Sequence, residues 1–146
     1  MKNLRIDFGG IPDHIGYHIR RAYSYFSRVF SVYGKRYSVR SQQATILTLA
    51  RQNPGISPAT IADANDIERS LVARLVTELE QRGYIERRPS ATDGRHRGLF
   101  ITRSGARFLD KILHSFATEM EPRLTRNLSA AERRTLIRLL EKIYQD

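Results

Sequence analysis

The fold of this chain is predicted mainly from residues 66–102, DIERSLVARLVTELEQRGYIERRPSATDGRHRGLFIT. The first part predicts an amphipathic helix, because its apolar side chains fall on one arc at helical spacing. These are Leu71, Val72, Leu75, Val76 and Leu79. The opposite arc carries Ser70, Ala73, Arg74 and Thr77. Small, hydrogen-bonding side chains around one arginine suit a helix that enters a DNA major groove about 12 Å wide. Gly83 suits a left-handed C-cap, so we expect the helix to end there.

A β-hairpin is predicted after this helix. Residues 84–88 and 97–101 have the composition of short strands, and Asp93-Gly94 between them is a turn signal. Basic residues cluster on this hairpin, which could therefore approach phosphates or enter a minor groove. The predicted DNA contacts are Arg69, Ser70, Ala73, Arg74 and Thr77 on the helix, and Arg87, Arg88, Asp93, Arg95, His96 and Arg97 on the hairpin. The alternative for the hairpin is a solvated, charged loop.

Several motifs of this segment resemble the MarR (multiple antibiotic resistance regulator) family. LVARLV at 71–76 and LEQRGYI at 79–85 are similar to its recognition helix and the turn into its wing. Asp93-Gly94-Arg95 fits its D-x-R wing motif, and ITRSG at 101–105 fits the start of its next helix. The resemblance covers nearly all of the chain beyond the first ten residues. It implies a homodimeric winged helix-turn-helix regulator, of a kind that often answers aromatic carboxylates or phenolic compounds.

Composition limits the possible functions. A chain of 146 residues that is 40% hydrophobic supports one domain with a core. The absence of cysteine excludes disulfides and thiol catalysis. The net charge of +10 favours polyanionic partners, and 21 of the 25 basic residues are arginine, which pairs with phosphate and guanine. No membrane span or leader is visible, and no helix has the pattern of a membrane-surface helix, so we expect a cytoplasmic protein without a membrane partner.

The two ends of the chain carry apolar seams that predict dimerisation helices at 11–33 and 103–146, around a DNA-binding part at 41–102. In the first helix Ile15, Ile19, Ala22, Phe26, Val29 and Tyr33 alternate spacings of four and three. Leu136, Leu139, Leu140 and Ile143 form a stripe near the C-terminus, behind a capping box at Ser129. A second copy of the chain would cover both seams. The alternative is that they pack on each other within a monomer.

A ligand site is predicted beside the first seam. His14, His18, Arg21 and Tyr25 form a second stripe that combines cations, hydrogen-bond donors and an aromatic face. Such a mixture suits a small aromatic acid, a phenol or an acyl thioester of such an acid. The alternative is the solvated flank of a helix. A metal site at the two histidines lacks a third ligand at an obvious spacing, so no metal or other cofactor is expected.

The turn before the recognition helix departs from the family pattern. Asn65 and Asp66 stand where the family usually has an apolar residue and glycine, and Glu68 replaces a common serine or aspartate. Asn and Asp tolerate left-handed backbone, so we expect the turn to form.

The sequence therefore predicts a single domain over 1–146, mainly α with a small β-wing (α+β), with the winged helix-turn-helix fold. No phosphate loop, zinc-protease motif or activated nucleophile is present, so we expect no enzyme. The predicted function is a sequence-specific, ligand-responsive repressor that binds a near-palindromic operator in double-stranded DNA as a homodimer. The alternative is a ligand-independent, low-specificity DNA-coating or architectural protein.

Overall fold

The computed structural model describes residues 6–89 and 97–145 of the chain. The order of elements is a 3₁₀ turn (Ile11–Asp13), α1 (Ile15–Tyr37), α2 (Ser41–Gln52), α3 (Pro58–Ala64), α4 (Arg69–Gln81), β1 (Ile85–Pro89), β2 (Arg97–Ile101), α5 (Arg103–Ser115), a π-helical turn (Phe116–Met120), α6 (Glu121–Leu124) and α7 (Ala130–Tyr144). The predicted fold class, mainly α with a two-stranded wing, is confirmed. No helix among the described residues is long and apolar enough to cross a membrane.

The DNA-binding region is built on one core between α2, α3, α4 and α5. The apolar arc predicted for α4 supplies Val72, Leu75, Val76 and Leu79, all fully buried, and half-buried Leu71 packs against the same core. The turn between α3 and α4 forms as expected, with Asp66 in the left-handed region at φ 50°. Ser57 caps α3 by accepting a hydrogen bond from the Thr60 amide at 3.0 Å. The side chains left outside this core on α4 therefore face solvent.

The wing is an antiparallel hairpin that is held against the rest of the region. Ile85 pairs with Ile101, Pro89 pairs with Arg97, and Ile56 adds an isolated bridge to Leu99. A side chain at Gly98 would place its Cβ 2.3 Å from the Gly55 carbonyl oxygen, so this close approach requires glycine. Gly83 ends α4 at φ 70°, as predicted. The hairpin tip, with Asp93, Arg95 and His96, lies outside the described residues.

The first helix lies further along the chain than predicted. The prediction was a helix over 11–33, whereas α1 runs from Ile15 to Tyr37 and ends where Ser38 turns left-handed at φ 50°. Gly34 does not end the helix; it allows the chain after α1 to pass close by, since an added Cβ would lie 2.7 Å from the Val39 carbonyl oxygen. The last turns of α1 form a second core with α5, in which Val29, Phe30, Tyr33, Ile112 and Met120 are buried.

A π-helical turn precedes Pro122. A proline inside a helix lacks an N–H group and clashes with the carbonyl one turn earlier. The π-helical turn at 116–120 precedes it, and Pro122 then falls within the first two positions of α6, where its missing N–H group costs nothing. The polypeptide therefore continues in helical form from α5 to Leu124.

The last helix buries none of its side chains within the chain. The predicted capping box is present, because the Ser129 hydroxyl accepts from the Glu132 amide and the Glu132 carboxylate accepts from the Ser129 amide. The apolar stripe of α7 is exposed at Leu136, Leu139, Leu140 and Ile143. The alternative of packing within one chain is therefore not realised for α7 or for the first turns of α1, whereas Val29 and Tyr33 of the α1 seam are buried against α5.

Candidate DNA-binding surface and adjacent cavity

The solvent-facing arc of α4 carries the side chains predicted to contact DNA. Ser70, Ala73, Arg74 and Thr77 are all exposed. The Thr77 hydroxyl donates to the Ala73 carbonyl at 3.0 Å, so it is satisfied within the helix. Arg74 forms no ion pair with any other described residue, and its guanidinium is therefore available to an external acceptor.

Two acidic residues contact the first turn of α4. Asp63 on α3 accepts two hydrogen bonds from Arg69, from Nε at 3.1 Å and from Nη2 at 2.9 Å. These hydrogen bonds raise the pKa of the Arg69 guanidinium above its ordinary value. The Ser70 hydroxyl donates to the Glu68 carboxylate. Arg69 and Ser70 are predicted DNA contacts, and their acidic partners were not predicted from the sequence.

The arginines of the wing differ in their surroundings. Arg87 points toward α4, where its Nε atom lies 3.0 Å from Glu80 Oε2 without the angle of a hydrogen bond. Arg88 pairs with Glu86 and lies over the Phe100 ring, 5.1 Å from its centroid. Arg97 is exposed and donates to the Arg87 carbonyl at 3.4 Å. Contacts of these three arginines with DNA stay predictions, and Arg87 would have to leave Glu80 to make one.

A cavity of about 820 Å³ lies between α1, the N-terminal end of α2 and the C-terminal end of α4. Its α1 wall is aromatic, with Tyr23, Phe26 and Phe30 at helical spacing. Three cations also line it, Lys35, Arg40 and Arg82, and Glu78 is the one acidic residue among the lining side chains. The cavity therefore combines an aromatic wall with an excess of positive charge.

The recognition helix is tied to the wall of this cavity by a buried amide. Gln43 is 3% exposed; its Oε1 accepts from the Arg40 amide at 3.0 Å, and its Nε2 donates to Glu78 Oε2 on α4 at 2.9 Å. Arg40 Nη1 lies 3.8 Å from Glu78 Oε1. At the end of α4, Arg82 donates to the Ser38 carbonyl at 2.5 Å. A molecule that displaced these partners would therefore act directly on the position of α4.

The predicted ligand stripe lies on another part of α1. His14, His18 and Arg21 are exposed, Tyr25 is half-buried, and none of the four lines the cavity. His18 Nε2 lies 2.8 Å from the Pro12 carbonyl oxygen, and Arg21 lies 6.0 Å from the centroid of the Tyr17 ring. The ligand role of the stripe stays a prediction. The helical spacing of Tyr23, Phe26 and Phe30 indicates an aromatic face on α1, but no ligand role was predicted for these three residues.

A polar network fixes the end of α5. Glu119 accepts from Arg36 Nη1 at 2.8 Å and from the buried Ser115 hydroxyl at 2.9 Å. The hydrogen bond from Arg36, followed by that from Ser115, lowers the pKa of the Glu119 carboxyl below its ordinary value. Among residues 6–89 and 97–145, no group of three or more metal-binding side chains is brought together.

A helix-turn-helix followed by a β-wing, with an exposed arginine on the second helix, defines a winged-helix DNA-binding protein. The family model described as "MarR family" matches residues 38–96. A putative transcriptional regulatory protein for the hcr operon of Thauera aromatica is 32% identical over 141 residues, which cover 94% of this chain and 82% of the relative. The chain belongs to the MarR family and is a DNA-binding transcription regulator.

Solved structures agree with this assignment. The transcriptional repressor CouR bound to a 23-mer DNA duplex is 28% identical, with a TM-score of 0.89 over 96% of this chain and 99% of that one. CouR bound to p-coumaroyl-CoA is 27% identical, with a TM-score of 0.86 over 97% and 99% of the two chains.

Proposed function

We propose that this protein is a homodimeric repressor that binds a near-palindromic operator and leaves it when an aromatic acid or its acyl thioester binds. The observation that carries the proposal is the exposed arc of α4, in which Arg74 stands among short side chains. A helix with that arc can approach base edges closely, and an arginine there can form a bidentate contact with guanine. CouR, which has a similar fold, is a repressor solved on a DNA duplex.

The exposed terminal helices support the dimer. The four apolar side chains of the α7 stripe are exposed, and so are Ile15 and Ile19 in the first turns of the α1 seam. Their exposed fractions are 38–70%. Exposed apolar faces of this kind are costly in water and are satisfied when a two-fold related copy covers them. Two copies related in this way present two α4 helices, which predicts an operator with two-fold symmetry.

The cavity supports the effector class. Its aromatic wall at Tyr23, Phe26 and Phe30 suits a planar ring, and its cations suit a carboxylate or phosphate. CouR has been solved with p-coumaroyl-CoA, an aromatic acyl thioester. An anion that paired with Arg40 would compete with Glu78 and so loosen one tie between α2 and α4. For the effector to lower DNA affinity about 100-fold, it must bind the conformation that does not bind DNA roughly 2.7 kcal/mol more tightly than the conformation that does.

Selection from a random DNA pool tests the regulator against the DNA-coating alternative. We expect the pure protein to enrich one near-palindrome, bound on the order of 10³-fold more tightly than random DNA. A coating or architectural protein would enrich no single site and would show a far smaller ratio.

A titration of the protein–DNA complex tests the effector and locates its site. Benzoates, salicylates and hydroxycinnamates would be added as free acids and as thioesters. Ser27→Phe fills the cavity from an exposed position of α1, and Ser24→Phe places the same ring on α1 outside it. We expect Ser27→Phe to lose the response and Ser24→Phe to keep it. Loss of the response only in Arg21→Ala and Tyr25→Phe would place the ligand on the predicted stripe instead.

A further inference from the structure

The ion pair between Asp63 and Arg69 uses only one edge of the guanidinium. An arginine offers five N–H donors, arranged on a side edge (Nε and Nη2) and an end edge (Nη1 and Nη2). Asp63 takes the side edge, with both of its oxygens engaged at 3.1 and 2.9 Å. The end edge, with the Nη1 donors and the second Nη2 donor, stays unused by any described residue.

The pair between Asp63 and Arg69 lies at the start of α4, the helix that is proposed to read DNA. Arg69 is the first residue of α4, one helical turn and a residue before Arg74. The Arg69 and Asp63 side chains are 70% and 59% exposed, so the pair is accessible to a large partner. A bidentate pair also limits the rotamers of a long side chain, which lowers the entropy lost when its remaining donors bind.

We propose that Asp63 is a positioning residue that presents the end edge of Arg69 to a guanine in the major groove. The inference rests on the proposed function, since it assigns one base contact of the proposed DNA-binding surface to Arg69. Guanine offers O6 and N7 as a pair of acceptors that match the end edge of an arginine. Arg69 is then a second arginine, in addition to Arg74, that contacts a base. Its role is not limited to attraction to the phosphate backbone.

The charges around the pair favour a base over a phosphate. Asp63 and Glu68 place two carboxylates beside the first turn of α4. A phosphate brought to Arg69 would also approach these negative charges and would be repelled by them. The major-groove edge of a G·C pair offers acceptors to the arginine and, from cytosine N4, a donor to a carboxylate. The first turn of α4 is therefore complementary to a G·C pair.

The experiment compares the purified full-length protein with three variants, Asp63→Asn, Arg69→Ala and the double variant. The affinity of each is measured for the selected operator and for random DNA, and each is passed through the same selection from a random pool. Asp110→Asn is the matched control, because Asp110 forms a similar exposed ion pair with Arg51, between α5 and α2. It removes the same charge at another ion pair. Thermal unfolding verifies that every variant is folded.

We expect Asp63→Asn to lower the ratio of operator affinity to random-DNA affinity about threefold to tenfold. Without Asp63 the long Arg69 side chain is no longer held in place, and ordering it on binding costs free energy of that size. Arg69→Ala should lower the ratio about 5- to 150-fold and lose a guanine preference at one position in each half-site. The double variant should match Arg69→Ala, because Asp63 acts through Arg69. Asp110→Asn should keep the parent ratio.

Three results would overturn the inference alone. The first is an operator-to-random affinity ratio in folded Asp63→Asn equal to that of the parent, and the second is a retained guanine preference in Arg69→Ala. The third is an equal loss of affinity for operator and random DNA in Arg69→Ala, which would assign Arg69 to a phosphate contact. A parent protein that enriches no sequence would overturn the proposed function, and this inference with it.

Discussion

Replacing Leu136 and Leu140 with serine is expected to weaken the dimer about 10³-fold without unfolding the monomer. The two side chains are 44% and 39% exposed in one chain. Full burial of a leucine contributes roughly 1.5–3 kcal/mol, so covering the exposed part contributes about 1 kcal/mol per side chain. The two-fold axis places four such leucines in the interface, which makes about 4 kcal/mol, and each 1.4 kcal/mol is a factor of ten in the dissociation constant.

Sedimentation velocity over a range of concentrations measures that dissociation constant directly. Arg134→Ser with Arg138→Ser is the control, because these exposed residues lie at the same spacing on another side of α7. Circular dichroism should show the parent helical content in both variants, since α7 buries no side chain within the chain. An unchanged dissociation constant in the leucine variant would refute the assignment of α7 to the dimer interface.

Three further predictions concern the reading helix, the wing and the α5 network. Arg74→Ala should cost about 1–3 kcal/mol on the operator alone, and an equal loss on random DNA in filter binding would show a phosphate contact instead. Gly98→Ala forces a Cβ against the Gly55 backbone and should lower the free energy of unfolding in urea by about 1–3 kcal/mol; unchanged stability would contradict this close approach. Because the folded pKa of Glu119 is lowered, its stabilising contribution is present above the ordinary value of 4.5 and is lost as pH falls through the lower folded value. Glu119→Gln should therefore make thermal stability less dependent on pH in that acidic range, and an unchanged dependence would contradict the role of the Arg36 hydrogen bond.

Local patterns in the sequence were sufficient to predict the recognition helix and the residue that ends it. The apolar arc of α4 and the left-handed Gly83 both depend on residues within one or two turns, so spacing alone predicts them. The predicted end of α1 at residue 33 was wrong, because the helix continues through Gly34. The lack of a side chain there allows close packing against the Val39 carbonyl, a contact that spacing does not show.

Contacts between elements could not be obtained from local patterns. The tie from Gln43 to Glu78 joins residues 35 positions apart, and its partner is set by how α2 packs on α4. The cavity was missed for the same reason, since its wall combines α1 with the ends of α2 and α4. Asp63 and Arg69 are six residues apart, but only the left-handed turn at Asp66 brings them together.

Changing the spacing between the two operator halves tests whether a dimer reads DNA through both α4 helices at once. If two copies of α4 read successive major grooves on one face of the duplex, the half-site centres lie about 10 base pairs apart. Inserting about five base pairs between the halves turns one half-site to the opposite face of the DNA. We predict that this insertion reduces binding nearly to that of random DNA, whereas equal affinity for both spacings would contradict a dimer that reads DNA through paired α4 helices.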